Sequence, residues 1–350
     1  MDYELRQRGR ASIDFLIDLR LRSNELEAPV NAQAAELVGE TPVEDYEAMQ
    51  ERVLEGLNEQ RDFRMLRLCR EWMLDRHGHI AMEAFEDIRD DVTPALDELS
   101  SGSCSIEYHN IEPPAYWDGY EFHRSAGGWD GHDYMGFVHG ELVHYHMVGR
   151  SLAGVLHAQR VAAAQAVPVD NPQSILELGC ASGQFTQALA ETYPDASITA
   201  VDLSLRQLEQ TLRRGNEQGF SWQLLQAAAE DTGLPDAQFD LVCSYAMFHE
   251  LPAAAAEAVL AEMFRLLKPG GALLMADVKS YTAHDQGQLW NADYWNQVVG
   301  GDPYWREYAT TDFGMLATKT GFTEVGWGGL GDYGYPFVLS ARKPNRAADN

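Results

Sequence analysis

Two acids and two glycines, set at intervals that suit an adenosine-type ligand, are the most informative residues in this sequence. The run ILELGCASGQFT, Ile175 to Thr186, places Glu177 at the end of an apolar strand, two residues before a glycine turn that opens a helix. Gly179 and Gly183 let the turn close tightly and bring backbone near a ligand, because a Cβ at either place would obstruct it. Asp202, 25 residues beyond Glu177, ends the next strand in ITAVDLS. A carboxylate there can accept hydrogen bonds from both hydroxyls of a ribose; capping the helix that begins near Ser204 is its other available role.

Two cofactors compete for this turn. A dinucleotide site wants G-x-G-x-x-G, so that a pyrophosphate sits on the helix N-terminus. The corresponding positions hold Gly179, Ala181 and Gln184, so two of the three glycines are missing. Glu177 would repel a pyrophosphate but attract the ammonium of an amino-acid ligand. These residues therefore disfavour a nicotinamide-dependent oxidoreductase and favour S-adenosylmethionine.

The order continues through LLQAAAEDTGLPDAQFDLV, Leu224 to Val242, then FHELP and LLKPGGALLMADV. This succession of acidic-glycine loop, strand-end aspartate, acidic loop before L-P and F-D-L-V strand resembles the class I S-adenosylmethionine-dependent methyltransferases, over roughly Ser174 to Val278. The resemblance implies that Glu177, Gly179 and Gly183 line the methionine moiety and Asp202 the ribose, with the adjacent Cys180 and Leu203 in the same cofactor set. It places Ala229 and Glu230 at the adenine edge, and Tyr245 with Ala246 beneath the reactive methyl group. The chain departs from the family in carrying Ala228 where an aspartate is common. The implied reaction is methyl transfer to an oxygen, nitrogen or sulfur nucleophile of a small molecule by in-line displacement. A protein methyltransferase, which predicts an open acidic groove, and a non-catalytic cofactor-binding module are the alternatives.

In-line displacement needs alignment and, for a neutral hydroxyl or amine, removal of a proton. His249, four residues beyond Tyr245, falls at the carboxyl edge of a parallel strand, where ligands bind. Its ordinary pKa of about 6.5 suits a general base, and a structural role fits the same position. Tyr245 joins it as the second catalytic candidate, and the neighbouring Glu250 reads as a helix-start acid. The substrate wall is expected from Trp129, Tyr134, Tyr145 and His146 in the aromatic segment before the cofactor motifs, and from Trp295 and Trp305 after them. Arg150 is the nearest upstream cation for a carboxylate of cofactor or substrate. The histidine-rich run from His123 through His132, His139, His144 and His146 invites a metal reading. An α-helix after Val138 puts His139 and His146 on one face and His144 elsewhere, and no pair has typical ligand spacing, so no metal site is expected.

The elements that must hold these residues alternate in type. Apolar runs at Ser174 to Leu178, Ile198 to Val201, Trp222 to Ala227, Phe239 to Tyr245 and Ala272 to Asp277 are separated by helical stretches at βαβ spacing. With a closing antiparallel hairpin in FTEVGWGGLGDYGYPFVLSARKP, the expectation is an α/β fold: a seven-stranded Rossmann-like sheet preceded by an α-helical N-terminal domain. The expected divisions are 1–100 helical, 101–165 an aromatic lid or connector with a helix from Val138 to Ala164, and 166–350 the cofactor domain. LSSGSCS, Leu99 to Ser105, reads as the linker. Met65, Leu68, Cys69, Trp72 and Met73 recur at helical spacing and form a stripe that serves a domain core, a docking face or a dimer seam.

The formal charge of −28, with only four lysines among 26 basic residues, argues against nucleic acid as a partner. The four cysteines form no C-x-x-C pair, the N-terminus MDYELRQRGR has no apolar signal stretch, and no window spans a membrane. A cytoplasmic protein acting on a small-molecule acceptor follows, and its helical region leaves room for a homodimer.

Overall fold

The computed structural model describes residues 3–40, 42–109, 111–152, 154–331 and 334–345. Eight strands form one sheet: β1 (Ser105–Glu107), β2 (Ser174–Leu178), β3 (Ser197–Asp202), β4 (Gln223–Gln226), β5 (Phe239–Tyr245), β6 (Leu267–Asp277), β7 (Thr323–Gly329) and β8 (Phe337–Arg342). Their spatial order is β1-β4-β3-β2-β5-β6-β8-β7. The first six in that order pair in parallel, and β8 inserts antiparallel between β6 and β7.

The central strands are apolar on both faces because helices cover both sides of a parallel sheet. Ile175, Leu176, Leu241 and Val242 are fully buried. The covering helices, Gln184–Thr192, Leu205–Gln218 and Ala253–Leu266, each connect successive parallel strands. The second of them shows how sequence sets the bounds: Ser204 accepts a hydrogen bond from Gln207 N at 3.1 Å as N-cap, and Gly219 ends the helix in the left-handed region.

The eighth strand corrects the expected count of seven. It comes from the segment read as linker and connector: Ser105 N donates to Trp222 O at 3.1 Å, and Cys104 N donates to Asn216 Oδ1 at 2.9 Å. The small polar run is thus held against the sheet edge and the helix beside it.

The N-terminal part is helical: α1 (Gln7–Ser23), α2 (Glu27–Val38), α3 (Tyr46–Leu57) and α4 (Arg61–Leu99). Phe63 and Leu66 face inward from α4, so Met65 and Leu68, each two residues and about 200° further round, face solvent. Met65, Leu68 and Trp72 are exposed, which removes the domain-core alternative for that stripe. One apolar core runs across the boundary expected at residue 100: Val30, Val53 and Phe63 share it with Leu176, Val242, Trp290 and Tyr294. A polar latch reinforces that junction. The buried Asp293 carboxylate accepts hydrogen bonds from Gln50 Nε2 (2.6 Å), Tyr281 Oη (2.7 Å) and Arg306 Nε (2.8 Å).

The helix expected from Val138 to Ala164 is two: Val138–Gly149, wound as a π-helix, and Leu156–Gln165. Among the described residues no helix is long and apolar enough to cross a membrane.

Candidate active site

In a doubly wound sheet, ligands bind beyond the carboxyl ends of the strands where the order reverses, here between β2 and β5. A cavity of about 690 Å³ lies at that point. The β2 turn, the ends of β3 and β5 and the residues after them line one part of it. Leu16 and Ile17 of α1, Met73 and His77 of α4, and the π-helix line the other, so the N-terminal helices are a wall of the site.

At the cofactor-type end, Gly179 has φ +69°, and a Cβ there would meet Met247 Sδ at 2.5 Å. Only glycine lets the β2 turn lie this close to the segment after β5. Asp202 performs the capping role without exhausting its carboxylate: Oδ2 accepts from Ala181 N at 2.8 Å and Oδ1 from Ser204 N at 2.9 Å. Each oxygen keeps a lone pair for a diol. Burial pushes the Asp202 carboxyl up to about 7. Glu177 is buried and accepts a 2.6 Å hydrogen bond from Thr186 Oγ1; burial pushes its carboxyl up to about 8. Cys180, Leu203, Ala229 and Tyr245 also line the cavity.

Three expected cofactor residues lie elsewhere. Gly183 caps the helix Gln184–Thr192 at φ +80°, and its Cβ would strike Thr211 Cγ2 at 2.9 Å, so it serves helix packing and not the cavity wall. The Glu230 carboxylate is taken by Tyr116 Oη at 2.9 and 3.0 Å, and Tyr116 is the residue in the lining. Arg150 is exposed and bonded to Asp14 Oδ1 at 2.8 Å. A cation that does reach the cavity beside Tyr245 is Arg160, buried, 5.5 Å over the Tyr245 ring and 3.5 Å from His144 Nδ1. Its sequence signal was a lone arginine in the apolar helix LHAQRVAAAQ.

Of the expected substrate wall, Trp129 and Trp295 line the cavity. Tyr145 points to solvent, His146 Nε2 lies 3.0 Å from Tyr3 Oη, and Tyr134 Oη donates to Asp97 at 2.9 Å. Trp305 stands behind the lining, edge-on to His249 at 5.5 Å. The wider turn of the π-helix explains the histidines. It aligns residues five apart, so His139 and His144 come together (ring centroids 5.9 Å) in the lining, in place of the His139–His146 face an α-helix would give. Burial holds His139 well below its ordinary pKa and His144 at about 3, so both are neutral; His139 packs edge-on against Trp129 at 4.3 Å.

The polar end of the cavity gathers residues from distant segments. His249 Nδ1 lies 2.7 Å from Asp277 Oδ1, at the end of β6, and the other Asp277 oxygen accepts from Phe248 N at 2.8 Å. Glu250, read as a helix-start acid, instead places Oε1 3.0 Å from His123 Nε2 and 4.0 Å from His249 Nε2. His123 itself has left-handed backbone, φ +53°, with its Nδ1 2.7 Å from the buried Asp302. Burial alone would depress both imidazoles, but the carboxylates outweigh it: Asp277 and Glu250 hold His249 above its ordinary pKa, and Asp302 and Glu250 hold His123 well above. His123 and His249 are 126 residues apart, and no local spacing announces the pair.

This fold is that of an α/β protein whose sheet opens, at its switch point, onto a cavity with an acid near the ends of two neighbouring strands. Residues 175–271 match the family described as methyltransferase domain. The chain carries a class I, S-adenosylmethionine-dependent methyltransferase domain, and S-adenosylmethionine is the cofactor of that domain. Among curated proteins, a malonyl-[acyl-carrier protein] O-methyltransferase of Anoxybacillus flavithermus is 32% identical over 33% of this chain and 43% of its own length. A fatty-acid O-methyltransferase of Mycolicibacterium smegmatis is 33% identical over 30% of this chain and 37% of its own. The chain thus spans about two fifths of the length of these relatives. Of solved structures, phosphoethanolamine N-methyltransferase 2 of Haemonchus contortus superposes on 55% of this chain and 53% of its own, with a TM-score of 0.42 and 16% identity.

Proposed function

We propose that this protein transfers a methyl group from S-adenosylmethionine to an oxygen, nitrogen or sulfur nucleophile of a small-molecule metabolite by in-line displacement. The observation that carries the reading is one cavity with two chemistries: Glu177, Gly179, Asp202 and Arg160 at one end, and the His249–Asp277 and His123–Glu250 cluster at the other. Bound S-adenosylmethionine supplies an electrophilic methyl carbon on a sulfonium. The chain's residues supply the rest. Asp202 accepts from the ribose hydroxyls, Glu177 faces the ammonium, and Arg160 pairs with the carboxylate of the amino-acid moiety. Trp129, Trp295 and the N-terminal helices exclude water, and the histidine cluster orients the acceptor.

Enclosure by α1 and α4 favours a small acceptor over a docked polypeptide. The family match stops short of that wall, so the acceptor is read from this chain's own residues. Arg20 and Arg70 reach the lining, with Arg70 5.0 Å over the Trp295 ring, and support an acceptor that carries a carboxylate. The acyl substrates named for the relatives agree with that chemistry. Four free cysteines suit a reducing cytoplasm, and Met65, Leu68 and Trp72 suit a homodimer seam that sedimentation velocity would test.

The test is calorimetric titration with S-adenosylhomocysteine and, separately, NADH, followed by radiolabelled methyl transfer to a panel of carboxylate and neutral acceptors. Binding of the former alone, on the order of micromolar and abolished by Asp202→Ala, is expected. Preference for NADH, or no binding, overturns the reading.

A further inference from the structure

His123, His249 and Glu250 each offer one ligand atom, and these atoms all lie within 4.8 Å of one another on the cavity lining. Each histidine is held through its other nitrogen. Asp277 Oδ1 lies 2.7 Å from His249 Nδ1 and Asp302 Oδ1 lies 2.7 Å from His123 Nδ1, and both aspartates are buried. A carboxylate on Nδ1 that leaves Nε2 directed at a shared point is the arrangement that orients metal-binding imidazoles. The spacing also fits. Two ligand atoms on one ion at about 2.1 Å are separated by roughly 3.0–3.4 Å for octahedral to tetrahedral angles. His123 Nε2 and Glu250 Oε1 are 3.0 Å apart, His249 Nε2 lies 4.0 Å from Glu250, and no pair of ligand atoms is more than 4.8 Å apart, so His249 needs to move by roughly 1–1.5 Å, on the order of one side-chain torsional adjustment. Three carboxylates around two imidazoles are an excess of negative charge that a dication largely offsets.

We propose that His123, His249 and Glu250 bind one divalent transition-metal ion, with its remaining coordination positions open to the cavity. Two imidazoles and one carboxylate with open positions suit the Fe2+, Co2+ or Zn2+ class over the oxygen-only sites of Ca2+ or Mg2+. The ion's place beside the acceptor end gives it a use: it binds an oxygen of the acceptor and fixes its position. That use rests on the methyl-transfer reading above; the binding of the ion does not. The left-handed backbone at His123 is consistent with a side chain held where function requires it.

The experiment is titration of the chelator-treated full chain with Co2+, followed by calorimetry and by visible absorption, beside a titration with S-adenosylhomocysteine. One equivalent of Co2+ with d–d bands is expected. Asp302→Asn, a change in a positioning residue outside the lining, weakens Co2+ about 10- to 100-fold while cofactor binding persists; His123→Ala and Glu250→Gln weaken it further. S-adenosylhomocysteine binding certifies that each variant is folded. No Co2+ binding by a chain that still binds the cofactor, or binding undiminished in both ligand variants, overturns the metal site and leaves the methyltransferase reading standing. Co2+ binding without cofactor binding does the reverse.

Discussion

On the proposed reading Glu177 and Asp202 meet the cofactor as anions, yet burial pushes them up to about 8 and about 7 in the cavity. Arg160 and Thr186 face Glu177 and favour its charge, while Asp202 opposes it; the Asp202 carboxylate is favoured by two backbone N–H groups and opposed by Asp130 and Glu250. An ammonium and a ribose diol prefer both groups ionised, so the ligand selects the deprotonated protein and affinity falls as pH falls. Between pH 8 and pH 6, Glu177 contributes a loss of about 50-fold and Asp202 about 10-fold, roughly 500-fold together, from their ionised fractions alone. At pH 6, close to two protons leave per cofactor bound. Calorimetry with S-adenosylhomocysteine in buffers of different ionisation enthalpy measures affinity and proton count together. Glu177→Gln should retain only the smaller slope, and Asp202→Asn only the larger. Unfolding does not imitate this result. A carboxyl raised in the folded state favours folding at low pH, and that contribution is lost as pH climbs from about 4 through the folded value. An affinity flat across pH 6 to 8 with no proton release would refute the placement of both carboxyls against the cofactor.

Other outcomes follow from the same geometry. Arg160→Ala should cost about 1.5–3 kcal/mol of S-adenosylhomocysteine affinity by calorimetry, with Arg150→Ala unchanged, because only the former faces the cavity. Gly179→Ala should lower stability by about 1–3 kcal/mol in thermal melts, since it meets both a left-handed backbone and Met247 Sδ. Asp293→Ala leaves Arg306 and Tyr281 without their buried partner; a loss of about 3–5 kcal/mol in urea unfolding is expected, and a change under 1 kcal/mol, about the level of a surface pair, would show that the latch is idle.

The parallel strands were legible because burial on both faces leaves a largely apolar run: β2 and β5 fall where the sequence put them. Glu177 and Asp202 were legible because a strand end and a glycine turn sit beside them in the chain. β1 was not, since three residues with a polar flank carry no periodicity, and their strand character comes from pairing with β4. The role of the stripe on α4 stayed open for a related reason. Helical spacing identifies a face but not which face is covered, and Phe63 and Leu66 decide that by meeting the core that Trp290 and Tyr294 fill.

The polar end of the cavity was hidden most completely, for a physical reason. Spacing rules for ligands presume that one helix or one turn supplies them, and the histidine run after Val138 was judged by α-helical geometry. The π-helix changes which of those histidines align. The two histidines that converge on Glu250 belong instead to separate segments: His249 follows β5, and His123 sits in a connection whose backbone is folded back at φ +53°. Each depends on an aspartate from yet another element, Asp277 from the end of β6 and Asp302 from the insertion before β7. Such a cluster is specified by the tertiary fold. The sheet fixes His249 and Asp277 side by side because β5 and β6 are neighbours, and the insertion brings Asp302 to His123. Glu177, Gly179 and Asp202 could therefore be read from one stretch of sequence, whereas Arg160 and the other end of the cavity come together only once α1, α4 and the insertion have closed over the sheet.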